Sequence, residues 1–373
     1  MNHLPANRQT TDLLQTLERD IDQAASRFIG FPAALDFDYT ELSSLLQRFL
    51  NNIGDPASSK WIGLTTKAME REVLAFFADL FRAPSDSWWG YVTNGSTECN
   101  LYAMYAARQR FPDGVMYFSN AAHYSVPKNA HILDRTPVVV NAQPSGEMDY
   151  TDLAKHLAQN NDKPAIIIAT VGTTMTEARD NIQRIIEVAK ASGVPGYHIH
   201  VDAALAGPYA ALLEPRTPFD FEDGADSVGT SGHKFIGSPM PCGVIIIRRE
   251  HQQLLAGKAN YTGSVDTTIS GSRNGHTPLI LWYALQQYGK QGLRERAEQG
   301  MRVAAYTYKA LEQIGWESWR NPNALTVMLR SPSEALIRKW QLASTDGWSH
   351  IICMPGVTEE RVDAFIRDLK QSS

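Results

Sequence analysis

The densest chemistry in this chain lies at TSGHKFIGSP, residues 230–239, where Lys234 follows His233 among small residues and precedes the apolar run CGVIIIRR. A lysine amine held out of water beside a hydrophobic strand can act as a Schiff-base nucleophile, because desolvation favours its neutral form. An ordinary loop lysine is the plain alternative. Three other stretches carry groups such a site would use. HVDAALAG (200–207) ends an apolar run on Asp202, and a carboxylate there needs a partner or a bound cation. His200, two residues earlier, shares its face if one strand runs through both, either as a structural pair or with Asp202 turned toward a cofactor nitrogen. TNGSTECN (93–100) closes an apolar run and opens a helix. Ser96 and Thr97 there either offer hydroxyls and N–H groups to a phosphate or simply cap the helix. NAAHYSVPKN (120–129) sets His123 just past GVMYFS, a place for a local hydrogen bond or for a catalytic imidazole.

Something must hold these groups together. PAIIIATVG is almost wholly apolar, as a parallel strand covered on both faces would be. Around it the pattern alternates. WWGYVT, GVMYFS, HILDRTPVVVN, YHIHVDAA, SVGTSG and CGVIIIRR read as β-rich runs, and the stretch after NGST and DNIQRIIEVAKAS read as helices. That alternation predicts an α/β body with a mainly parallel sheet, whose ligands collect beyond the carboxyl ends of the strands. Residues 10–25, 38–51 and 65–82 have helical spacing, and 277–315 reads as one long helix. Beyond it, LTVMLRSP and WSHIICMPG suggest strands around the helix SEALIRKWQLAS, with TEERVDAFIRDLK closing a smaller C-terminal α/β unit. The expected division is an N-terminal helical segment (1–60), a large domain (61–295) and a small domain (296–373).

Composition narrows the partners. The 373 residues include 35 Lys and Arg against 40 Asp and Glu, a net charge of −5 with no block of like charge, which argues against nucleic acid or an anionic membrane. No stretch approaches the ~18 apolar residues of a membrane span. Cys99, Cys242 and Cys353 are far apart and lack metal-knuckle spacing, so no metal is expected and a reducing cytoplasm is. There is neither a P-loop nor a GxGxxG turn.

Taken together, NNIGDP, WGYVTNGSTECN, YFSNAAHYSVPK, ATVGTT, HVDAALAG, DSVGTSGHKFIGSPMPCG and TISGSRNGHTPLILW resemble the pyridoxal-phosphate-dependent group II amino acid decarboxylases, with the short bacterial histidine decarboxylases as the nearest likeness. The resemblance runs from about residue 28 to the C-terminus. It implies the aspartate-aminotransferase-like fold (fold type I), pyridoxal 5′-phosphate as cofactor, a small amino acid as substrate, and a homodimer that shares its active sites. It also implies roles. Lys234 would bind the cofactor aldehyde as a Schiff base, and Asp202 would keep the pyridine nitrogen protonated. His123 would stack on the ring and touch substrate, with Ala204 on the other face. Ser96, Thr97, Ser231 and His233 would contact the phosphate side, and Thr173 the ring substituents. Tyr261, in YTGSVDTTISGSRNG, would return a proton to Cα.

Two departures bear on the substrate. Where those decarboxylases read NGGTEGN, this chain has Ser96 and Cys99 in place of glycines. Where they carry a serine near the substrate side chain, WRNPNALTVM has Ala324, which cannot hydrogen-bond an imidazole. L-Histidine is the expected substrate, with an aliphatic or aromatic amino acid, or another reaction of the same fold, as the alternative.

Overall fold

The computed structural model describes residues 8–58, 63–255, 257–259 and 264–371. Helix α1 (Arg8–Ala25), the single turn α2 (Ser43–Leu46) and α3 (Lys67–Leu80) lead into β1 (Trp88–Thr93) and α4 (Ser96–Arg110). Alternation follows: β2 (Val115–Ser119), α5 (Ser125–Ile132), β3 (Val138–Val140), α6 (Tyr150–Gln159), β4 (Ala165–Thr170) and α7 (Ile182–Ala191). Next come β5 (Tyr197–Asp202), α8 (Gly207–Ala210), β6 (Ser227–Ser231), β7 (Gly243–Arg248) and α9 (Arg249–Gln252). A short hairpin, β8 (Gly257–Ala259) with β9 (Ser264–Asp266), precedes the long α10 (His276–Gln313). The chain ends on β10 (Ser318–Trp319), β11 (Thr326–Arg330), α11 (Glu334–Trp340), β12 (Ala343–Thr345), β13 (Trp348–Ile352) and α12 (Glu359–Gln371).

The large sheet has seven strands in the order β1-β7-β6-β5-β4-β2-β3, and only β7 runs against the rest. Its apolar runs follow from being covered twice. Ile167 and Ala169 of β4 pack with α3, α6 and α7 on one face, while Ile166 and Ile168 pack with Met104, Ala107, Val126 and Ala130 of α4 and α5 on the other. The second sheet, β10-β11-β13-β12, is antiparallel and covered on one side by α11, α12 and the later turns of α10. Along α10, Leu293 and Ala297 join the large core, and Val303, Ala304 and Leu311 the small one. The helix is broken at Gly289, whose φ of 54° and ψ of −169° are open to glycine and hostile to a side chain.

Two local expectations fail. The helical spacing over 38–51 yields only a 3₁₀ turn at Thr40–Leu42 and the one-turn α2, because Leu42 is buried against Leu279 and Ile280 and the chain then leaves to bridge Asn51 with Asn274. Such short helices lack the length to sustain themselves, and here tertiary packing decides. In HILDRTPVVVN, His131 and Ile132 close α5 and only Val138–Val140 is strand.

Candidate active site

Because β1 is parallel to β2, β4, β5 and β6, all five release their chains on the same side of the sheet. A cavity of about 910 Å³ opens there. Its wall brings together Ser96, Thr97, His123, Thr173, Asp202, Ala204, Ser231, His233 and Lys234.

Gly95 makes the turn from β1 into α4 with φ 139° and ψ 164°, a backbone state that L side chains rarely adopt. The N–H groups of Ser96 and Thr97, in the first turn, have no helical acceptor. Glu98 is occupied elsewhere, accepting from Asn94 N–H, Asn94 Nδ2 and the Tyr91 hydroxyl. Ser96 Oγ lies 2.9 Å from Ser231 Oγ, so the end of β6 and the start of α4 present two hydroxyls side by side.

Asp202 is the last residue of β5 and is buried. Its Oδ1 accepts from Ala204 N–H at 3.1 Å and its Oδ2 from Asn100 Nδ2 at 2.8 Å. His200 does share the strand and the face, yet it reaches Asp202 only through Asn100, whose Oδ1 lies 2.9 Å from His200 Nε2. Burial pushes the His200 imidazole down to about 4, although Asp202 pulls the other way. Lys234 stands in the turn after β6, and its carbonyl accepts from Ala34 N–H. Burial lowers its ammonium from the usual lysine range, with Asp202 opposing. Among the described residues the amine and the carboxylate make no direct ion pair; both remain available to a ligand between them.

His123 Nδ1 is engaged by Ser125, from the hydroxyl at 2.8 Å and the backbone N–H at 3.2 Å. Its imidazole is depressed by burial first, with Asp202 raising it and Lys234 lowering it further. His233 Nδ1 donates to the Cys242 carbonyl at 2.9 Å, which ties the lysine turn to the start of β7. Thr173 is committed within its own loop: its Oγ1 accepts from Ala178 N–H at 2.9 Å and sits 2.9 Å from Thr176 Oγ1. Ala324 does not reach the cavity. It is fully buried just ahead of β11 and is not among the residues that line the cavity. Tyr261 lies outside the described residues.

Residues 39–319 match the model of the pyridoxal-dependent decarboxylase conserved domain. Histidine decarboxylase from Mesorhizobium japonicum is 45% identical over 95% of this chain and 96% of its own, and that of Morganella morganii 41% over 87% and 86%. The chain belongs to the pyridoxal-dependent decarboxylase family. Among solved structures, L-methionine decarboxylase from Streptomyces sp. 590, complexed with L-methionine methyl ester, superposes with a TM-score of 0.90 at 26% identity, covering 98% of this chain and 95% of that one. The enzyme class that goes with the family is a carboxy-lyase working through pyridoxal 5′-phosphate.

The donor set fits that cofactor. An unpaired amine can condense with the aldehyde, an acceptor-only carboxylate suits a protonated ring nitrogen, and hydroxyls beside open N–H groups suit a phosphate. Thr170, at the end of β4, adds a buried hydroxyl on the cavity wall with no partner among the described residues. Sequence reasoning missed Thr170, Asn100 and Ser125. Thr170 closes an apolar strand and was legible as such; Asn100 reads like any polar residue on a helix until its burial is known.

Proposed function

We propose that this chain decarboxylates L-histidine to histamine and carbon dioxide. The observation that carries the substrate is the identity of 45% over 95% of the chain to a histidine decarboxylase. When bound, pyridoxal 5′-phosphate supplies the electron sink for the pair left by the departing carboxylate. The protein does the rest. Lys234 would hold the cofactor through its aldehyde and would be the amine that frees the product. Asp202, held by Asn100 and Ala204 N–H, keeps the ring nitrogen protonated. Ser96, Thr97 and Ser231 bind the phosphate at the α4 N-terminus, with His233 bracing the lysine turn. His123 would cover one face of the ring and meet the substrate, Ala204 would cover the other, and Thr173 would flank the substituents, since all three line the cavity. Tyr261 is our candidate for the group that protonates Cα. Ala324, being off the cavity wall, tunes the substrate pocket only indirectly.

A homodimer completes the reading. Leu13, Leu14, Leu17 and Ile21 of α1 are each more than half exposed and line one side of the helix. In our reading residues 1–60 pack on a second copy, 61–295 form the cofactor-binding domain and 296–373 the small domain. Cytoplasmic residence is supported by Cys99, Cys242 and Cys353, all free and buried.

The experiment is carbon dioxide release from the purified enzyme, loaded with cofactor, across the common L-amino acids. Histidine should exceed every other substrate by at least ~100-fold in kcat/KM. Turnover of methionine or an aromatic amino acid with none of histidine contradicts the substrate assignment and leaves the reaction class standing.

A further inference from the structure

Asn100 is fully buried on α4, between a carboxylate, a histidine and a serine. We infer that Asn100 is a positioning residue that orients the Asp202 carboxylate and fixes the tautomer of His200, and that His123, held by Ser125, presents an N–H to the cavity in its resting state. The inference rests on the reading of Asp202 as partner of the ring nitrogen.

A carboxylate only accepts, so the Asn100 amide nitrogen faces Asp202 Oδ2, at 2.8 Å. The amide oxygen is thereby turned to His200 Nε2, at 2.9 Å, and that nitrogen must carry the proton. A buried, neutral His200 has one proton, so its Nδ1 is a lone pair and takes the hydroxyl hydrogen of Ser227 at 2.9 Å. The opposite amide orientation would set oxygen against carboxylate.

The second amide hydrogen is on the side of Ser125 Oγ, a longer contact of 3.4 Å. Ser125 in turn donates its backbone N–H to His123 Nδ1. A ring nitrogen that accepts a backbone N–H is the lone-pair nitrogen, so the Ser125 hydroxyl, 2.8 Å away, donates to it as well. Neutral His123 then carries its proton on Nε2, which has no partner among the described residues. Toward the cavity it can donate a hydrogen bond and cannot accept a proton. Removing Asn100 leaves Asp202 with one fewer donor and frees His200 to turn over.

The test uses the cofactor-loaded enzyme labelled with ¹⁵N-histidine, with His123 and His200 assigned by single substitution. Imidazole ¹⁵N shifts near neutral pH should put both histidines in the Nε2–H form. Either one in the Nδ1–H form overturns the inference, and this reading needs no variant to fold. Asn100→Ala should mix the His200 tautomers and lower kcat by ~10-fold with KM held, because one charge-assisted hydrogen bond is lost. Ser125→Ala, which keeps the backbone N–H on His123 Nδ1, should leave both histidines in the Nε2–H form, and a switch of His123 to Nδ1–H there would overturn the reading. Unchanged tautomers and kcat in Asn100→Ala also overturn it. Asp202→Asn with wild-type turnover would instead contradict the assignment of Asp202, a result separate from the tautomers of the wild-type enzyme.

Discussion

Strand β5 carries two buried histidines, His198 and His200, two residues apart on one face and both covered by α4. Burial pushes both imidazoles down to about 4. Each has a carboxylate nearby, and there the likeness ends. His200 engages both ring nitrogens and leads through Asn100 to Asp202 on the cavity wall. His198 has no hydrogen-bond partner on either nitrogen among the described residues, and its carboxylate, Asp226, lies 3.9 Å from Nδ1. Asp226 also receives His251 Nε2 at 2.8 Å and Ile199 N–H at 2.8 Å. Burial alone would raise its carboxyl, but His198, His251 and that N–H bring it below the usual range.

His198, Asp226 and His251 have the residue types of a metal site and lie close enough to form one. The Arg110 guanidinium decides against it, sitting 3.2 Å from both Asp226 Oδ1 and His251 Nε2, with Arg248 Nε 3.7 Å from the same oxygen. The positive charge this carboxylate needs is already covalently present. One helix therefore serves two ends: α4 offers open N–H groups, Ser96 and Asn100 to the cavity, and Arg110 to a closed ion cluster. What separates a reactive end from a structural one is charge left unpaired beside a void.

That contrast can be broken in order of expected effect. Lys234→Ala should lower turnover by at least ~1,000-fold with the fold intact by circular dichroism, since its amine is the attachment point. Asp202→Asn should cost ~100-fold in kcat with little change in Tm. Asp226→Asn should do the reverse. It leaves two partly exposed arginines without their counter-charge, so stability drops by roughly 2 kcal/mol in chemical denaturation while kcat of the folded enzyme is kept. Loss of cofactor binding in Asp226→Asn would erase the distinction between the two ends.

The smallest effect is in pH. Both histidines have folded values below their ordinary 6.5, so the unfolded chain binds the protons first. Their contribution to stability is complete above about 6.5 and is lost as pH falls toward about 4. His198→Phe removes two unpartnered ring nitrogens and should raise Tm at pH 5 by roughly 1–3 °C, whereas His200→Phe strands Asn100 and Ser227 and should lower it. Equal shifts from the two variants would show that their different hydrogen bonding does not matter.

How much of this the chain declares in advance varies by residue. PAIIIATVG and CGVIIIRR announce β4 and β7 because doubly covered strands have no polar face to confuse the pattern. Asp202 and Lys234 were legible because charge beside apolar runs demands a reason. The stretch 38–51 misled because helical spacing also arises where scattered apolar residues pack under another element, as Leu42 does under α10. Likeness puts Ala324 beside the substrate, and its burial ahead of β11 depends on how the small sheet docks. Asn100 and Arg110, ten positions apart on one helix, carry no sequence signal that separates a cavity network from an ion cluster. Only the tertiary arrangement assigns them.

The central claim, that Lys234 holds the cofactor opposite Asp202, is tested most directly by borohydride reduction of the cofactor-loaded enzyme followed by peptide mass mapping. The account predicts a single phosphopyridoxyl-modified peptide, carrying the label on Lys234. A label on another lysine, or none, would contradict it.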